Sequence, residues 1–359
     1  MVTTLSDHDA SCIFHMNDVT EPALSQQQYP THAQRLQVRQ VTYQAVGINS
    51  YELVSPEGKD LPAFTAGAHI DFYFRDGSVR QYSLCNDPKE RHRYLIAVLR
   101  ESESRGGSEG LHDRVHVQRT VCIGEVRNNF PLNPNAKHHL LLAGGIGVTP
   151  MMSMIAEIQA NGESFSMHYC SKSPEHMAFR PELEELVVAG KVILHHDGGD
   201  PSQGLDIEAL LATQENGVHV YYCGPPGFMR AVKRATKHWV GGTVHAEHFS
   251  SIASPKAQQT AEERKAVGDG GVGIGFQVVL ASSGASYFVA NDKSIAEVLK
   301  ENGVHVETSC KSGLCGTCKT RYLEGEVEHH DLIMDADEQA NYLTLCCSRA
   351  KSRALVIDI

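Results

Sequence analysis

Residues 310–318 read Cys310-Lys-Ser-Gly-Leu-Cys315-Gly-Thr-Cys318, and Cys346 follows after 27 intervening residues. The spacing C-x4-C-x2-C…C is typical of four thiolates that hold a [2Fe–2S] cluster, three from one tight loop and the fourth from a distant segment. Zinc is the alternative metal, but structural zinc sites favour two separated C-x2-C pairs. The spacing therefore predicts an iron–sulfur centre near the end of the chain.

The composition of this segment agrees with a cluster-binding loop. Gly313 and Gly316 suit a loop whose amides must turn toward the sulfur atoms. Five of the ten cysteines fall in the last fifty residues, and in a reducing compartment such clustering favours a metal centre over disulfides. Cys347 directly follows Cys346, and in an extended segment only one of the two side chains should face the cluster.

The region around the cysteines predicts a small α+β (β-grasp) domain over residues 273–359. Two strand-like runs, FQVVLASS and SYFVA, precede the helical pattern SIAEVLKENG and then the cysteine segment. Residues 251–272 are polar and end in glycines, which is typical of a linker.

Residues 135–250 predict an α/β domain with a parallel sheet, because strand-like and helix-like segments alternate. The first strand runs into a turn with Gly144, Gly145 and Gly147. Glycines there allow a pyrophosphate to approach the backbone at a helix N-terminus, although a tight strand-to-helix turn also needs glycine for packing alone. A second such turn, Cys223-Gly224-Pro225, should lie beside the first at the carboxyl edge of the sheet, unless Cys223 is simply a buried apolar residue.

Asp197 follows another strand of this sheet, where the adenosine ribose of a dinucleotide binds. A carboxylate there accepts hydrogen bonds from the ribose hydroxyls and repels a 2′-phosphate, which favours NADH over NADPH. The alternative is that the acidic residue only solvates a turn.

Residues 35–134 contain short alternating runs separated by turn residues, which predicts an antiparallel β-barrel. Within them, Arg80, Tyr82 and Ser83 offer a phosphate partner, an aromatic surface and a hydrogen-bonding hydroxyl. The loop Arg105-Gly106-Gly107-Ser108 could form an anion-binding nest. Ordinary surface arginines and turns explain either feature alone. Residues 1–34 are read as an N-terminal extension.

Taken together, the chain resembles the phthalate dioxygenase reductase family over about residues 35–359. The motifs carrying this resemblance occur in the family's order: RQYSLCNDP, RGGS, AGGIGVTPMMSM, YYCGPPGFM, CKSGLCGTCKT and CCSRAKS. The resemblance implies an FMN-binding barrel, an NAD-binding domain and a C-terminal plant-type ferredoxin. FMN is expected instead of FAD because this domain order is that of the family's FMN branch.

The resemblance also assigns roles to individual residues. The expected FMN contacts are Arg80, Gln81, Tyr82, Ser83, Ala97, Val98, Gly106, Gly107 and Ser108. Thr149 is expected to reach the flavin from the nucleotide domain, and Phe249 to lie near the flavin ring where nicotinamide enters. The pattern Cys-x-Ser-Arg-Ala makes Cys346 the fourth cluster ligand, and Leu99 stands where a relative carries lysine.

The activity implied by the resemblance is electron transfer from NADH through FMN and the [2Fe–2S] cluster to a terminal oxygenase. The expected partner is a Rieske-type aromatic-ring dioxygenase or demethylase. A cytochrome P450 or a diiron oxygenase is the alternative acceptor. A non-redox scaffold protein is a further alternative, which the complete cysteine set and the Arg80–Ser83 motif disfavour.

Composition excludes two other classes of protein. The formal charge of −11 argues against a nucleic-acid partner, which would require a basic face. The sequence contains no run of about 18 apolar residues, so no membrane span is predicted. The first residues lack the pattern of a secretory signal. A cytoplasmic location is therefore expected.

The assignment of Cys346 can be tested by exchanging each of the adjacent cysteines. Cys346→Ser should remove or distort the visible iron–sulfur bands, because a hydroxyl is a poor substitute for a thiolate ligand. Cys347→Ser should leave the bands nearly intact. Ferricyanide reduction by NADH should survive in both variants, since that dye takes electrons from the flavin. The opposite pattern of bands would place the ligand one residue later.

Overall fold

The computed structural model describes residues 33–74, 78–101, 107–249, 275–308, 313, 316–331, 333–334 and 336–359. Several predicted features lie outside the described residues: all but the last two residues of the extension, the linker 251–272, Gly106, Cys310 and Cys315. The domain bounds given above stay predictions.

An antiparallel six-stranded sheet forms the first domain, in the order β4-β3-β6-β1-β2-β5. Its strands are β1 (Gln34–Ala45), β2 (Ile48–Val54), β3 (His69–Tyr73), β4 (Val79–Ser83), β5 (Tyr94–Leu99) and β6 (Thr120–Ile123). Alternating apolar residues such as Leu53, Ile70 and Ile96 point inward and are fully buried. The predicted antiparallel barrel is confirmed.

The edge strands β4 and β5 face each other across a seam. Just after β4 the seam is closed, because Cys85 N donates to Leu95 O at 2.8 Å. Farther along, among the described residues, β4 pairs only with β3, and β5 pairs only with β2. The barrel is therefore open on one side, between residues 80–83 and 97–99.

A helix that the sequence pattern did not predict precedes the last strand of the barrel. This helix, α1 (Gly107–Arg114), ends just before residues 115–121, one of the short alternating runs predicted to be strands, and of that run only the residues from Thr120 onward are a strand. Acidic Glu109 in the first turn and basic Arg114 in the last complement the helix dipole. His112 fastens α1 to the barrel, since its Nε2 lies 2.9 Å from Val98 O.

The second domain is a five-stranded parallel sheet in the order β11-β10-β7-β8-β9, as the alternating pattern predicted. Its strands are β7 (His138–Gly144), β8 (Phe165–Ser171), β9 (Val192–His196), β10 (Val218–Cys223) and β11 (Val244–Glu247). Its helices are α2 (Val148–Asn161), α3 (Arg180–Val188), α4 (Ile207–Leu211) and α5 (Pro226–Ala235). Gly162 ends α2 because it adopts φ 69°, a left-handed conformation that glycine takes at low cost.

The barrel and the parallel sheet share one hydrophobic core. Buried Ala45, Ala97 and Phe130 of the barrel belong to the same cluster as Met151 and Tyr221 of the second domain. Polar contacts reinforce the junction, for example Ala66 N donating to Glu157 Oε2 at 2.9 Å. Because packed apolar surface resists separation, these two domains form one unit.

The third domain has the predicted α+β character. A five-stranded sheet runs in the order β13-β12-β18-β14-β16, and β15 pairs with β17. The strands are β12 (Gly275–Leu280), β13 (Ser286–Ala290), β14 (Lys319–Glu324), β15 (Val327–Glu328), β16 (Tyr342–Thr344), β17 (Arg349–Ala350) and β18 (Ala354–Ile357), with helices α6 (Ile295–Glu301) and α7 (Ala336–Gln339). A capping box between Ser294 and Glu297 starts α6.

Within the described ranges, no helix combines the length and the apolar character that crossing a membrane requires.

Three histidines are packed together on the second domain's sheet. His245 stacks on Tyr221 with ring centroids 4.5 Å apart, and His219 Nδ1 lies 3.0 Å from His245 Nε2. The ring of His139 also lies against Tyr221, with ring centroids 5.6 Å apart, and its Nε2 lies 3.1 Å from Glu163 Oε2. Burial lowers the pKa of all three rings, that of His245 to about 4.

The second domain should therefore lose stability in mild acid. A histidine whose pKa is lowered by folding binds fewer protons than in the unfolded chain, so stability falls as pH drops below about 6.5. For His245 alone the loss between pH 7 and pH 5 is about 2 kcal/mol. Urea unfolding followed by the fluorescence of Trp239, the chain's single tryptophan, measures it.

His245→Phe keeps the stacked ring on Tyr221 and should reduce the acid sensitivity by about that amount. His238→Phe, a change at an exposed histidine of the same domain, is the control and should not alter it. Equal acid sensitivity of the wild type and His245→Phe would contradict this origin of the effect.

Candidate functional site

An open cavity with about 880 Å³ of empty space, part of it open solvent, lies at the seam of the barrel, where the second domain faces it. Both domains contribute residues to its wall. Nine residues predicted from the sequence line it together: Arg80, Gln81, Tyr82, Ser83, Ala97, Val98, Ser108, Thr149 and Phe249. Gly107 lies next to Ser108 as the first residue of α1.

Six further residues line the cavity: His69, Leu99, Glu101, Ile146, Glu247 and His248. Leu99 stands where a relative carries lysine, and no motif in the sequence marks the other five residues. Their side chains meet only because β3, β5 and β11 converge there, and no local motif reports that convergence.

The cavity wall combines the chemistry that a flavin mononucleotide requires. Arg80 supplies a fixed positive charge, and its Nη1 donates to Val79 O at 2.8 Å. Tyr82 and Phe249 supply aromatic surface, and Ala97 and Val98 supply small apolar surface. This wall fits FMN, with Arg80 and Ser108 as the candidates for holding a phosphate.

Thr149 and Phe249 reach the cavity from the second domain. Thr149 is buried at the start of α2, and its Oγ1 donates to Ile146 O at 3.0 Å, which fixes its rotamer. Phe249 follows β11 and packs against the core that the two domains share. The shared core therefore sets the distance between these side chains and the barrel seam.

Glu247, the last residue of β11, is the main functional candidate that the sequence did not reveal. Only 12% of its side chain is exposed, and its Oε2 accepts a hydrogen bond from Ser83 Oγ at 3.1 Å. Burial raises the pKa of the Glu247 carboxyl to about 8, although the Ser83 hydrogen bond acts in the opposite direction. At neutral pH the carboxyl is therefore protonated and adds no negative charge to the cavity.

The two glycine-containing turns of the parallel sheet lie against each other. A Cβ atom on Gly147 would fall 2.1 Å from Cys223 O, and one on Gly144 would fall 2.9 Å from Pro225 Cδ. Close packing thus accounts for these two glycines and for buried Cys223. Gly145 differs, because it has φ 54° and open space around its Cα. Its neighbourhood remains the candidate for a pyrophosphate at the start of α2.

Asp197 lies just after β9, beside the end of β8, as predicted. Its backbone N donates to Ser171 O at 3.2 Å. Its Oδ1 accepts a hydrogen bond from Gly199 N at 2.8 Å, so the carboxylate shapes the turn that follows. The structure thus shows that Asp197 stabilises the turn. Its contact with a ribose stays a prediction.

Two of the predicted cluster ligands are described, and they lie together. Cys318 Sγ and Cys346 Sγ are 3.1 Å apart, and Gly313 N donates to Cys346 Sγ at 3.2 Å. Gly313 and Gly316 have φ 72° and 75°, the left-handed conformation expected for this loop. Paired sulfurs with an amide aimed at one of them fit thiolate ligands of an iron–sulfur cluster.

Comparisons with known families agree with these two sites. Residues 278–351 match the family described as 2Fe-2S iron-sulfur cluster binding domain, and residues 141–234 match the Oxidoreductase NAD-binding domain family. The fold and sites define an NADH-dependent flavin iron–sulfur oxidoreductase.

Similarity to individual proteins extends over nearly the whole chain. The reductase subunit of a tert-butanol monooxygenase / tert-amyl alcohol desaturase from Aquincola tertiaricarbonis is 53% identical over 331 residues, covering 92% of this chain and 97% of that protein. A solved phthalate dioxygenase reductase is 40% identical, with a TM-score of 0.64 and coverage of 91% and 98%. An intact type IV self-sufficient cytochrome P450 monooxygenase is 35% identical, with a TM-score of 0.65, and the match spans 91% of this chain and 41% of that one.

The chain belongs to the phthalate dioxygenase reductase family. Its cofactors are FMN, NADH and a [2Fe–2S] cluster.

The protonated state of Glu247 should appear in the pH dependence of flavin reduction. Above pH about 8 the carboxyl ionises, and its charge opposes the entry of a hydride into the cavity. The rate of flavin reduction by NADH should fall by about fivefold between pH 7 and pH 9.5, the effect of ~1 kcal/mol of repulsion. Stopped-flow absorbance measures this rate.

Glu247→Gln should remove the pH break, because the amide accepts the Ser83 hydrogen bond and does not ionise. Glu163→Gln, which changes a partly exposed carboxyl far from the cavity, is the control and should retain the break. If the break persisted in Glu247→Gln, another group would be responsible.

Proposed function

We propose that this chain is the reductase component of an oxygenase system, passing electrons from NADH through FMN and the [2Fe–2S] cluster to a terminal oxygenase. The observation that carries the proposal is the cavity at the barrel seam, because residues of both domains line it. Arg80 to Ser83 come from the flavin barrel, while Thr149 and Phe249 come from the nucleotide domain. A donor on the second domain and an acceptor in the barrel would meet there.

Within this cavity the protein's work is to bind, orient and exclude water. Bound FMN supplies the ability to accept a hydride and release electrons singly, which no side chain provides. Arg80, Ser83 and Ser108 are proposed to hold the flavin's polar groups. Phe249 and Ile146 are proposed to shield its ring from water until nicotinamide enters.

Cys310, Cys315, Cys318 and Cys346 are proposed to hold the cluster. The Gly313 amide donates to Cys346 Sγ, and such bonds to ligand sulfur stabilise the more negative, reduced state. A cluster with reduced thiolate ligands is also the basis for proposing a cytoplasmic location.

NADH is proposed to lie across the carboxyl edge of the parallel sheet. Its pyrophosphate would lie at Gly145 and the start of α2, and its ribose near Asp197. The turn Cys223-Gly224-Pro225 would border the nicotinamide.

The partner is proposed to be a Rieske-type oxygenase, as the resemblance to phthalate dioxygenase reductase implies. Family membership supports an oxygenase of some kind as the acceptor. The similarity to a self-sufficient cytochrome P450 favours a haem acceptor as the second candidate.

The two acceptors can be compared directly under anaerobic conditions. Catalytic amounts of the holoprotein with NADH should bleach the visible bands of a Rieske-type oxygenase component, such as that of a phthalate dioxygenase. A P450 haem domain under carbon monoxide, tested in parallel, should form its ferrous–carbonyl band much more slowly. Cys318→Ser, which should lack the cluster, should reduce ferricyanide but neither oxygenase. Faster reduction of the haem than of the Rieske centre would establish the second candidate instead.

A further inference from the structure

The third domain is attached to the rest of the molecule differently from the other two. Its hydrophobic core, which includes Phe276, Leu299 and Leu355, draws only on its own residues within the described part of the chain. The barrel and the parallel sheet, in contrast, share a core. The position of the third domain therefore depends on polar contacts and on the tether that joins it.

A group of three charged residues bridges the second and third domains. Lys233 of α5 places its Nζ 2.8 Å from Glu338 Oε2 in α7, and the same Nζ donates to the carbonyl oxygen of Ile333. Glu338 also forms an ion pair with Lys319 of β14, whose Nζ lies 2.9 Å from Glu338 Oε1. One carboxylate thus pairs with a cation from each domain.

The bridge ties the segment that follows the cluster loop to the rigid unit that contains the redox cavity. Helix α5 begins at Pro226, immediately after the turn Cys223-Gly224-Pro225. On the other side, Lys319 directly follows the cluster ligand Cys318. Lys233 lies about two turns further along α5, so the contact fixes the cluster loop relative to the second domain and, through the shared core, relative to the barrel.

We infer that the Lys233–Glu338 ion pair is an electrostatic latch that holds the ferredoxin domain in the position where its cluster accepts electrons. Lys233 and Glu338 are positioning residues, since neither lines the redox cavity. The inference rests on the electron route proposed above and adds how that route is held together and released.

The strength of the latch follows from its exposure. The side chains of Lys233, Glu338 and Lys319 are 39%, 34% and 29% exposed, so water and salt screen the pair. The screening length falls from about 30 Å at 0.01 M salt to about 8 Å at 0.15 M. A partly exposed pair shifts an equilibrium only on the order of two- to fivefold, so docking is reversible at physiological salt. Electron tunnelling falls steeply with distance, and undocking thus stops transfer and frees the cluster for a partner.

The contact itself can be detected without any turnover. A zero-length carbodiimide cross-linker joins amines to carboxylates that touch, so the wild-type holoprotein at low salt should yield a peptide linking residue 233 to residue 338. High salt should diminish that product. Its absence at low salt would overturn the latch.

Small-angle X-ray scattering of variants measures the position of the third domain. At low salt, Lys233→Gln and Glu338→Gln should increase the radius of gyration relative to the wild type, and Lys233→Glu should increase it further because two carboxylates then repel. Arg234→Gln is the matched control: it removes one positive charge from the same helix, but Arg234 pairs with Glu208 inside the second domain. Equal radii for all variants would overturn the inference.

Stopped-flow absorbance separates the latch from the electron route. In the wild type, NADH should reduce flavin and then cluster, and the cluster phase should slow as salt rises. Lys233→Gln should slow the cluster phase on the order of two- to fivefold at low salt, leave the flavin phase unchanged and lose most of the salt dependence. Arg234→Gln should behave as the wild type. A wild-type cluster that NADH never reduced would refute the proposed route, whereas equal cluster phases in the wild type and Lys233→Gln would refute the latch alone.

Discussion

Strands β4 and β5 border a gap that the barrel does not close with its own hydrogen bonds. At one end the chain after β4 pairs with β5 through Cys85 and Leu95, but residues 80–83 and 97–99 separate around the cavity. Edge strands carry unpaired backbone donors and acceptors, which are costly unless something satisfies them. A flat heteroaromatic ring with polar edges meets that need and also fills the space. The other residues that line the cavity are arranged around this gap.

The shared hydrophobic core holds the second domain against that gap. Met151 and Tyr221 pack with barrel residues, so α2, β10 and the strand β11 that pairs with β10 have little freedom to move relative to the seam. Thr149 and Glu247 are therefore presented to the cavity by a rigid frame. Hydride transfer requires close and constant contact between donor and acceptor, and an apolar junction supplies it. Single-electron transfer tolerates a looser arrangement, and the ferredoxin domain is joined through charged groups instead.

Much of this architecture could be predicted from the sequence because its signals are local. The C-x4-C-x2-C run, the strand–glycine–helix turns and the RQYSLCNDP segment each occupy about ten contiguous residues, and the structure bears out the fold that they predicted. Helix α1 was missed because its eight residues are too few to show a helical period. Glu247 was missed because its partner Ser83 lies 164 residues away, and its raised pKa depends on burial by both domains. Which glycines serve packing also became visible only when the two turns were seen in contact.

The contact between those turns limits how such an enzyme can change over evolution. Gly147 and Cys223 touch through backbone atoms, so the nicotinamide end of the proposed dinucleotide site admits almost no new side chains. At the ends of β8 and β9 more space is available, since no atom lies within 4 Å of the point where a side chain would begin at Gly198 or Gly199. Both residues have positive φ, so the backbone conformation and not packing restricts substitution there. Packing therefore restricts the nicotinamide end more than the adenosine end. Substitutions near Asp197, the proposed ribose contact, would therefore change the preferred dinucleotide in a lineage, while the packed turns at the other end of the site are inherited unaltered.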